Sequence, residues 1–252
     1  FFEYLISHDV QDTHQSRPYP FFLAYQLDKS IEELGSPEDW FAEWKWDGIR
    51  AQIIKRENEV FVWSRGEELI TERFPELQAE AMNFENGTVL DGEILAWQNE
   101  KPLPFGELQK RIGRKNLTKK ILEEVPVVFQ CFDVIEYEST DIRSTAYTER
   151  KKLLKKIVTK GFKRMKVGES IKINSWEDLA KLREESRDRN VEGFILKNKD
   201  SEYLTGRRRG GWWKWKVDPY TIDAVMIYAQ RGHGRRASLY TDYTFGVWNE
   251  GK

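Results

Sequence analysis

AEWKWDGIRAQ, residues 42–52, places Lys45 between two tryptophans, with Glu43 two residues before it and Asp47 two residues after it. Apolar and polar residues alternate on both sides of Asp47-Gly48, so the stretch reads as a strand, a tight turn and a second strand. The alternation continues outward. EVFVWSR (59–65) repeats it after the ENE break, and TVLDGEILAW (88–97), VPVVFQCFDVIEY (125–137), VEGFILKN (191–198) and WWKWKVD (212–218) read as further strands. Helical spacing marks TERFPELQAEAMNF (71–84), FGELQKRI (105–112), STAYTERKKLLKKIV (144–158) and NSWEDLAKLREESRDRN (174–190), the last with Ser175 as its N-cap.

A chain of 252 residues is long enough to hold one large domain or two small ones without disulfide staples. The single cysteine, Cys131, sits in an apolar run and reads as a core residue, which suits a reducing, intracellular setting. No apolar run approaches the roughly 20 residues of a membrane span. Lys+Arg 41 and Asp+Glu 42 nearly cancel, so net charge points to no polyanionic partner. The distribution is less even. Basic clusters at 109–120, 149–157, 206–216 and 231–236, interleaved with ten tryptophans, suggest a surface for nucleic acid or phosphate. Residues 1–20 read as an arm or the end of an upstream segment, 21–218 as the main domain, and the strand-like run after Pro219 as the start of another.

Burying an ammonium disfavours its charged form, and neighbouring cations push the same way, so a lysine held as Lys45 is held can become a neutral, nucleophilic amine. Lys214 and Lys216 supply cations on one face of a strand, Asp91 and Glu93 share a face of another, and Glu192 and Lys197 stand near strand ends. This set suits an anionic phosphate ligand with a divalent metal. GRRRGG (206–211) matches neither common glycine-rich phosphate loop, so side chains must hold the phosphate. His8, His14 and His233 lack the spacing of zinc ligands.

EWKWDGIR (43–50) resembles the nucleotidyl-acceptor motif K-x-D-G-x-R of ATP-dependent DNA ligases, and further blocks follow in that family's order: SRGEE (64–68), LDGEI (90–94), FDVIE (132–136), EGFILK (192–197) and WWKWK (212–216). PYPFFLA (18–24), GELQKRIGRK (106–115) and RGHGRRASLYTDYTFGVW (231–248) resemble a bacterial group of these enzymes. The resemblance implies an α+β fold: two antiparallel sheets flanked by helices, a nucleotidyltransferase or ATP-grasp-like adenylation domain, followed by a partial OB-fold barrel.

It also implies roles. Lys45 forms a covalent bond to AMP, and Lys214, Lys216 and Lys197 neutralise the α-phosphate. Glu43 accepts a hydrogen bond from the adenine amino group, and Phe132 stacks on adenine. Arg50 and Arg65 contact ribose and phosphates, as Arg209 can. Glu93 meets the ribose hydroxyl or the metal, and Glu192 helps bind Mg²⁺. Lys110, Arg111, Arg114 and Lys115 are expected on the side facing nicked duplex DNA. Asp47 and Asp91 read equally as turn caps or as site residues, and Trp212, Trp213 and Trp215 as packing. The implied setting is a monomer in the cytoplasm at the nucleoid, in DNA repair or recombination, with an upstream DNA-binding domain and the rest of the barrel outside this chain. An RNA ligase or another lysine nucleotidyltransferase shares the lysine motif, and a non-catalytic nucleic-acid-binding protein could share the fold.

Overall fold

The computed structural model describes residues 15–114, 116–159, 161–218 and 221–249. These divide into two compact units, one running up to Val217 and the other starting at Asp218. In the larger unit, the strands of three or more residues are β1 (Trp40–Trp46), β2 (Ile49–Arg56), β3 (Glu59–Ser64), β4 (Thr88–Gln98), β5 (Val127–Tyr137), β6 (Met165–Val167), β7 (Val191–Asn198) and β8 (Trp212–Lys216). The helices are α1 (Pro75–Ala81), α2 (Phe105–Ile112), α3 (Lys119–Glu124), α4 (Tyr147–Ile157) and α5 (Trp176–Glu184). Ser175 caps α5 by accepting from the Asp178 amide, as its sequence suggests.

Two main sheets result. The larger follows the path β6-β5-β4-β2-β3, and the smaller joins Tyr25–Gln26, β8, β7 and β1 in that order. Each departs from the expected antiparallel pattern once. β6 runs parallel to β5, and Tyr25–Gln26 runs parallel to β8. A parallel pair needs a crossover rather than a hairpin, and α4 lies in the connection from β5 to β6.

Pairing in the smaller sheet turns local alternation into two different surfaces. Ile195 lies opposite Glu43 on one side and Lys214 on the other, while Lys197 lies opposite Trp212. Because side chains alternate across a strand, Glu43, Lys45, Ile195, Lys197, Trp212, Lys214 and Lys216 share one face. The opposite face carries Ala42, Phe194, Leu196 and Trp213, all buried against Trp176 and Leu179 of α5. Each large apolar side chain buried there contributes roughly 1.5–3 kcal/mol.

The larger sheet buries Ile53, Leu90 and Phe129 against Leu77 of α1, Leu108 of α2, Ile121 of α3 and Leu154 of α4. Between the two sheets lies a third apolar layer, in which Ile54, Val89 and Ile135 meet Trp212, Tyr147 and Phe22. Part of the expected N-terminal arm docks here: the Tyr19 amide donates to Gln52 at 2.8 Å and its hydroxyl donates to Glu136 at 2.7 Å.

The second unit holds an antiparallel pair, β9 (Ala224–Arg231) and β10 (Tyr240–Val247). It is consistent with the opening strands of a barrel, and no closed barrel occurs among the described residues. No helix among the described residues is long and apolar enough to cross a membrane.

Candidate active site

A cleft of about 680 Å³ opens between the two sheets of the larger unit. Its floor is the polar face of β1, β7 and β8, and its far wall carries Arg50, Glu93 and Phe132. Gly48 lets the β1–β2 turn press against β4, since a Cβ there would stand 2.4 Å from the Ile94 carbonyl oxygen. That close approach keeps Lys45 at the cleft.

At one end the charges are anion-binding. Lys45 Nζ lies 2.9 Å from Glu192 Oε1, and Lys216 pairs with the other oxygen of the same carboxylate. Burial works against the charge on Glu192, but the hydrogen bond from Lys216 and the charge of Lys45 outweigh it and hold its pKa below the usual range. Burial, together with Arg207, Lys216 and Lys45, lowers the pKa of Lys214. Glu93 is pushed up to about 8 by burial, which Arg50 and Lys45 offset only in part. Burial also raises Asp47, reinforced by Glu192. The Lys45 amine is thus held by a carboxylate beside Lys214 and Lys216, an arrangement that points it at an anion bound on the cleft floor.

At the other end Glu43 is 4% exposed and carries three donors. Lys197 reaches Oε2 at 2.9 Å, the Tyr147 hydroxyl reaches Oε1 at 2.5 Å, and Lys151 also binds Oε1. Burial opposes the carboxylate, yet Lys151 and Lys197 hold it ionised. Burial brings Lys197 down to about 8, with Glu43 resisting. The Lys197 ammonium stands 4.4 Å from the ring centres of Phe132 and Trp212 and 4.6 Å from that of Tyr147. Lys197, expected at the α-phosphate, lines the same cleft but stands at this end of it. Its amine is enclosed by aromatic rings and tied to Glu43, whereas Lys214 and Lys216 stand further along the floor with Lys45.

Arg50 lines the cleft beside Phe132 but is anchored to Asp91, at 2.7 and 3.2 Å. Asp91 also receives the Tyr203 hydroxyl at 2.6 Å, so it acts as a buried support for Arg50. Arg65 lines the cleft from the turn after β3. Arg209 does not line it. That side chain pairs with Asp28 at 2.8 Å and lies over Tyr25, and Arg207 is the arginine of this run that lines the cleft. Trp212, read as packing, lines the cleft as well.

The basic segment of α2 splits. Lys110 and Arg114 are exposed, but Arg111 is fully buried, with its guanidinium 2.6 Å from both oxygens of Glu76 and hydrogen-bonded to the Arg73 and Val125 carbonyls. Arg111 is therefore a core residue and not part of a DNA face, because α2 turns it under α1. Lys115 lies outside the described residues.

Tyr147, Lys151, Tyr203 and Arg207 were absent from the residues expected at the site. Tyr147 and Lys151 are four apart on α4, and that spacing is the one signal in the sequence that could have joined them. Among the described residues no group of three or more His, Cys, Asp or Glu is placed to hold a metal. The cleft offers the Glu192 carboxylate, and Glu93 once it gives up its proton, a donor set that fits a Mg²⁺ ion bound through one or two carboxylates and completed by phosphate and water.

The model of a family described as ATP dependent DNA ligase domain matches residues 22–216. A protein of Koribacter versatilis named probable DNA ligase is 33% identical over 96% of this chain and 46% of its own length. The DNA ligase of Archaeoglobus fulgidus is 29% identical over 88% of this chain and 39% of its own. The chain thus spans less than half the length of these curated relatives. Among solved structures, a mycobacterial DNA ligase D complexed with ATP and MES superimposes with a TM-score of 0.63 at 26% identity, over 92% of this chain and 69% of that one.

Proposed function

The chain belongs to the ATP-dependent DNA ligase domain family, and on that premise we propose that it forms a covalent lysyl-adenylate as part of an enzyme that seals nicks in duplex DNA. The observation that carries this reading is the contact of Lys45 with Glu192 at 2.9 Å, in a cleft whose floor also presents Lys214 and Lys216. Lys45 gives up its proton to solvent, since Glu192, whose pKa is lowered, is a weak base and serves to orient the amine. The free amine then attacks the α-phosphorus of ATP: an N–P bond forms, the bond to the bridging oxygen breaks, and its electron pair leaves with pyrophosphate. Lys214, Lys216 and Arg207 neutralise charge that builds on the phosphate oxygens in transfer.

Adenine lies at the Glu43 end, with Phe132 as its stacking surface. Glu43 accepts from the base's amino group, and Lys197 belongs to this base end. Arg50, braced by Asp91, and Arg65 approach ribose and phosphates. Glu93 and Glu192 would hold Mg²⁺, which supplies charge neutralisation on the phosphates when bound. The exposed Lys110 and Arg114 suit contact with DNA phosphates. Residues 21–218 are read as the adenylation domain and 219–252 as the opening of an OB-fold, a reading supported by the division after Val217. A role in repair or recombination, in the cytoplasm, agrees with this chemistry.

Incubation with Mg²⁺ and ATP labelled on its α-phosphate, followed by denaturing electrophoresis, should yield a labelled protein band. Lys45→Ala should abolish the band. Lys45→Arg should abolish it too, because a guanidinium with a pKa above about 12 offers no free amine. An undiminished band in Lys45→Ala would refute the assignment. Nicked duplexes with DNA or RNA strands then identify the polynucleotide that is joined.

A further inference from the structure

Helix α4 brings two side chains, one turn apart, to a single carboxylate. Tyr147 and Lys151 both bind Oε1 of Glu43, and Lys151 also donates to the Gly168 carbonyl at 2.8 Å. Lys151 is 2% exposed, so neither partner of this ion pair exchanges readily with water. Neither Tyr147 nor Lys151 lies in the six motif blocks that carry the resemblance. The clamp ties three elements together: α4, the first strand of the smaller sheet, and the segment after β6 at the edge of the larger one.

The hydrogen-bond inventory of Glu43 is specific. A carboxylate oxygen accepts about two hydrogen bonds. Oε1 receives Tyr147 and Lys151, so its capacity is used. Among the described residues Oε2 receives Lys197 and keeps one place for a donor from the cleft that Glu43 lines. An amino group on a base ring fills that place. A ring carbonyl, itself an acceptor, meets a negative charge there and is refused.

We infer that Lys151, together with Tyr147, is the positioning device for base selection: it keeps Glu43 ionised and turned so that Oε2 alone is offered to the nucleobase. The inference rests on reading the cleft as a nucleotide site. Lys197 does not replace the clamp, because it occupies the same oxygen that meets the base. Without Lys151 the carboxyl is held on Oε1 by the Tyr147 hydroxyl alone, turns more easily and gains a proton more easily. A protonated Glu43 donates a hydrogen bond, and a ring carbonyl then becomes an acceptable partner.

The test compares Lys45 adduct formation from ATP and from inosine triphosphate, which carries a carbonyl where ATP carries the amino group. The chains compared are the wild type, Lys151→Met and Tyr147→Phe. Lys151→Met should lower the preference for ATP by about tenfold, the scale of one buried charged hydrogen bond, with the loss in KM for ATP rather than in kcat. Tyr147→Phe should shift the preference in the same direction by a few-fold, a smaller loss because the Lys151 ion pair stays on the same oxygen. If Lys151 serves stability alone, the melting temperature falls while the ratio stays at the wild-type value, and the inference is overturned. Should Lys151→Met fail to fold, Tyr147→Phe decides: it removes one oxygen atom, and an unchanged ratio overturns the proposal. Absence of any adduct from wild-type protein would overturn the nucleotide reading and this inference with it, whereas an adduct of unaltered selectivity overturns the inference alone.

Discussion

At the scale of single residues, the clearest consequences follow from charges carried out of water. Arg111 pairs with Glu76, fills two backbone acceptors and stands 5.0 Å from the ring centre of Phe74. Arg111→Met removes the buried cation that pairs with Glu76 and donates to those carbonyls, and should lower unfolding free energy by about 3–5 kcal/mol. Lys110→Ala, next to it on the exposed face, should change stability by less than about 0.5 kcal/mol. Urea unfolding checks both, and equal effects would contradict the buried placement. Glu93 carries a pH consequence. Between its ordinary 4.5 and the value of about 8 in the fold, the folded chain holds a proton that the unfolded chain has released. Stability therefore falls as pH rises through that window. Glu93→Gln stays neutral throughout, so its stability relative to wild type should rise from about pH 5 to about pH 8. Parallel stability curves for the two proteins would refute the shift.

At the scale of elements, β7 shows how one irregularity serves a site. Its pairing with β1 shifts register between Val191 and Phe194, and Gly193 adopts φ +126°. A Cβ there would lie 2.3 Å from the Trp215 carbonyl oxygen. The bulge re-aims Glu192 toward Lys45 and Lys216. Gly193→Ala should cost at least about 1–3 kcal/mol in backbone strain and displace β8, so that melting temperature and adduct formation fall together. Gly106, near the start of α2, has nothing within 4 Å of where its Cβ would be. Gly106→Ala should stabilise by up to about 1 kcal/mol, as alanine generally does in a helix. A Gly193→Ala protein that melts like wild type would show that β8 yields freely, contrary to the packing of Trp213 beneath it.

For the whole molecule, stability is concentrated in one unit. All three apolar clusters draw on residues between Phe22 and Trp213. The second unit leaves Ile222 72% exposed and Trp248 79% exposed, with Tyr228, Tyr243 and Phe245 each more than half exposed. A two-stranded hairpin is marginal alone, and open apolar strands invite pairing with other chains. A chain ended at Asp218 should keep the urea midpoint of the main transition and scatter less light at high concentration. A lowered midpoint would show that the hairpin supports the larger unit.

The sequence by itself determined what depends on near neighbours. Alternation put Glu43 and Lys45 on one face of their strand in AEWKW, and Lys214 and Lys216 on one face of theirs in WWKWK, because side-chain direction in a strand repeats every two residues; the register through Ile195 then joined the two faces. The order of the motif blocks determined the family. Tertiary structure alone decided which charge meets which. In YTERKKLLKKI, a charged run reads as a solvated helix, yet Tyr147, Arg150, Lys151 and Leu154 form its buried stripe, because Asp133 and Glu43 lie opposite to receive the cations. The same holds for Arg111, which finds Glu76, for Lys197, which finds Glu43 and an aromatic cage, and for Arg207 rather than Arg209 at the cleft. A buried charge is tolerated only where a partner waits for it, and partners distant in sequence leave no mark on the local pattern.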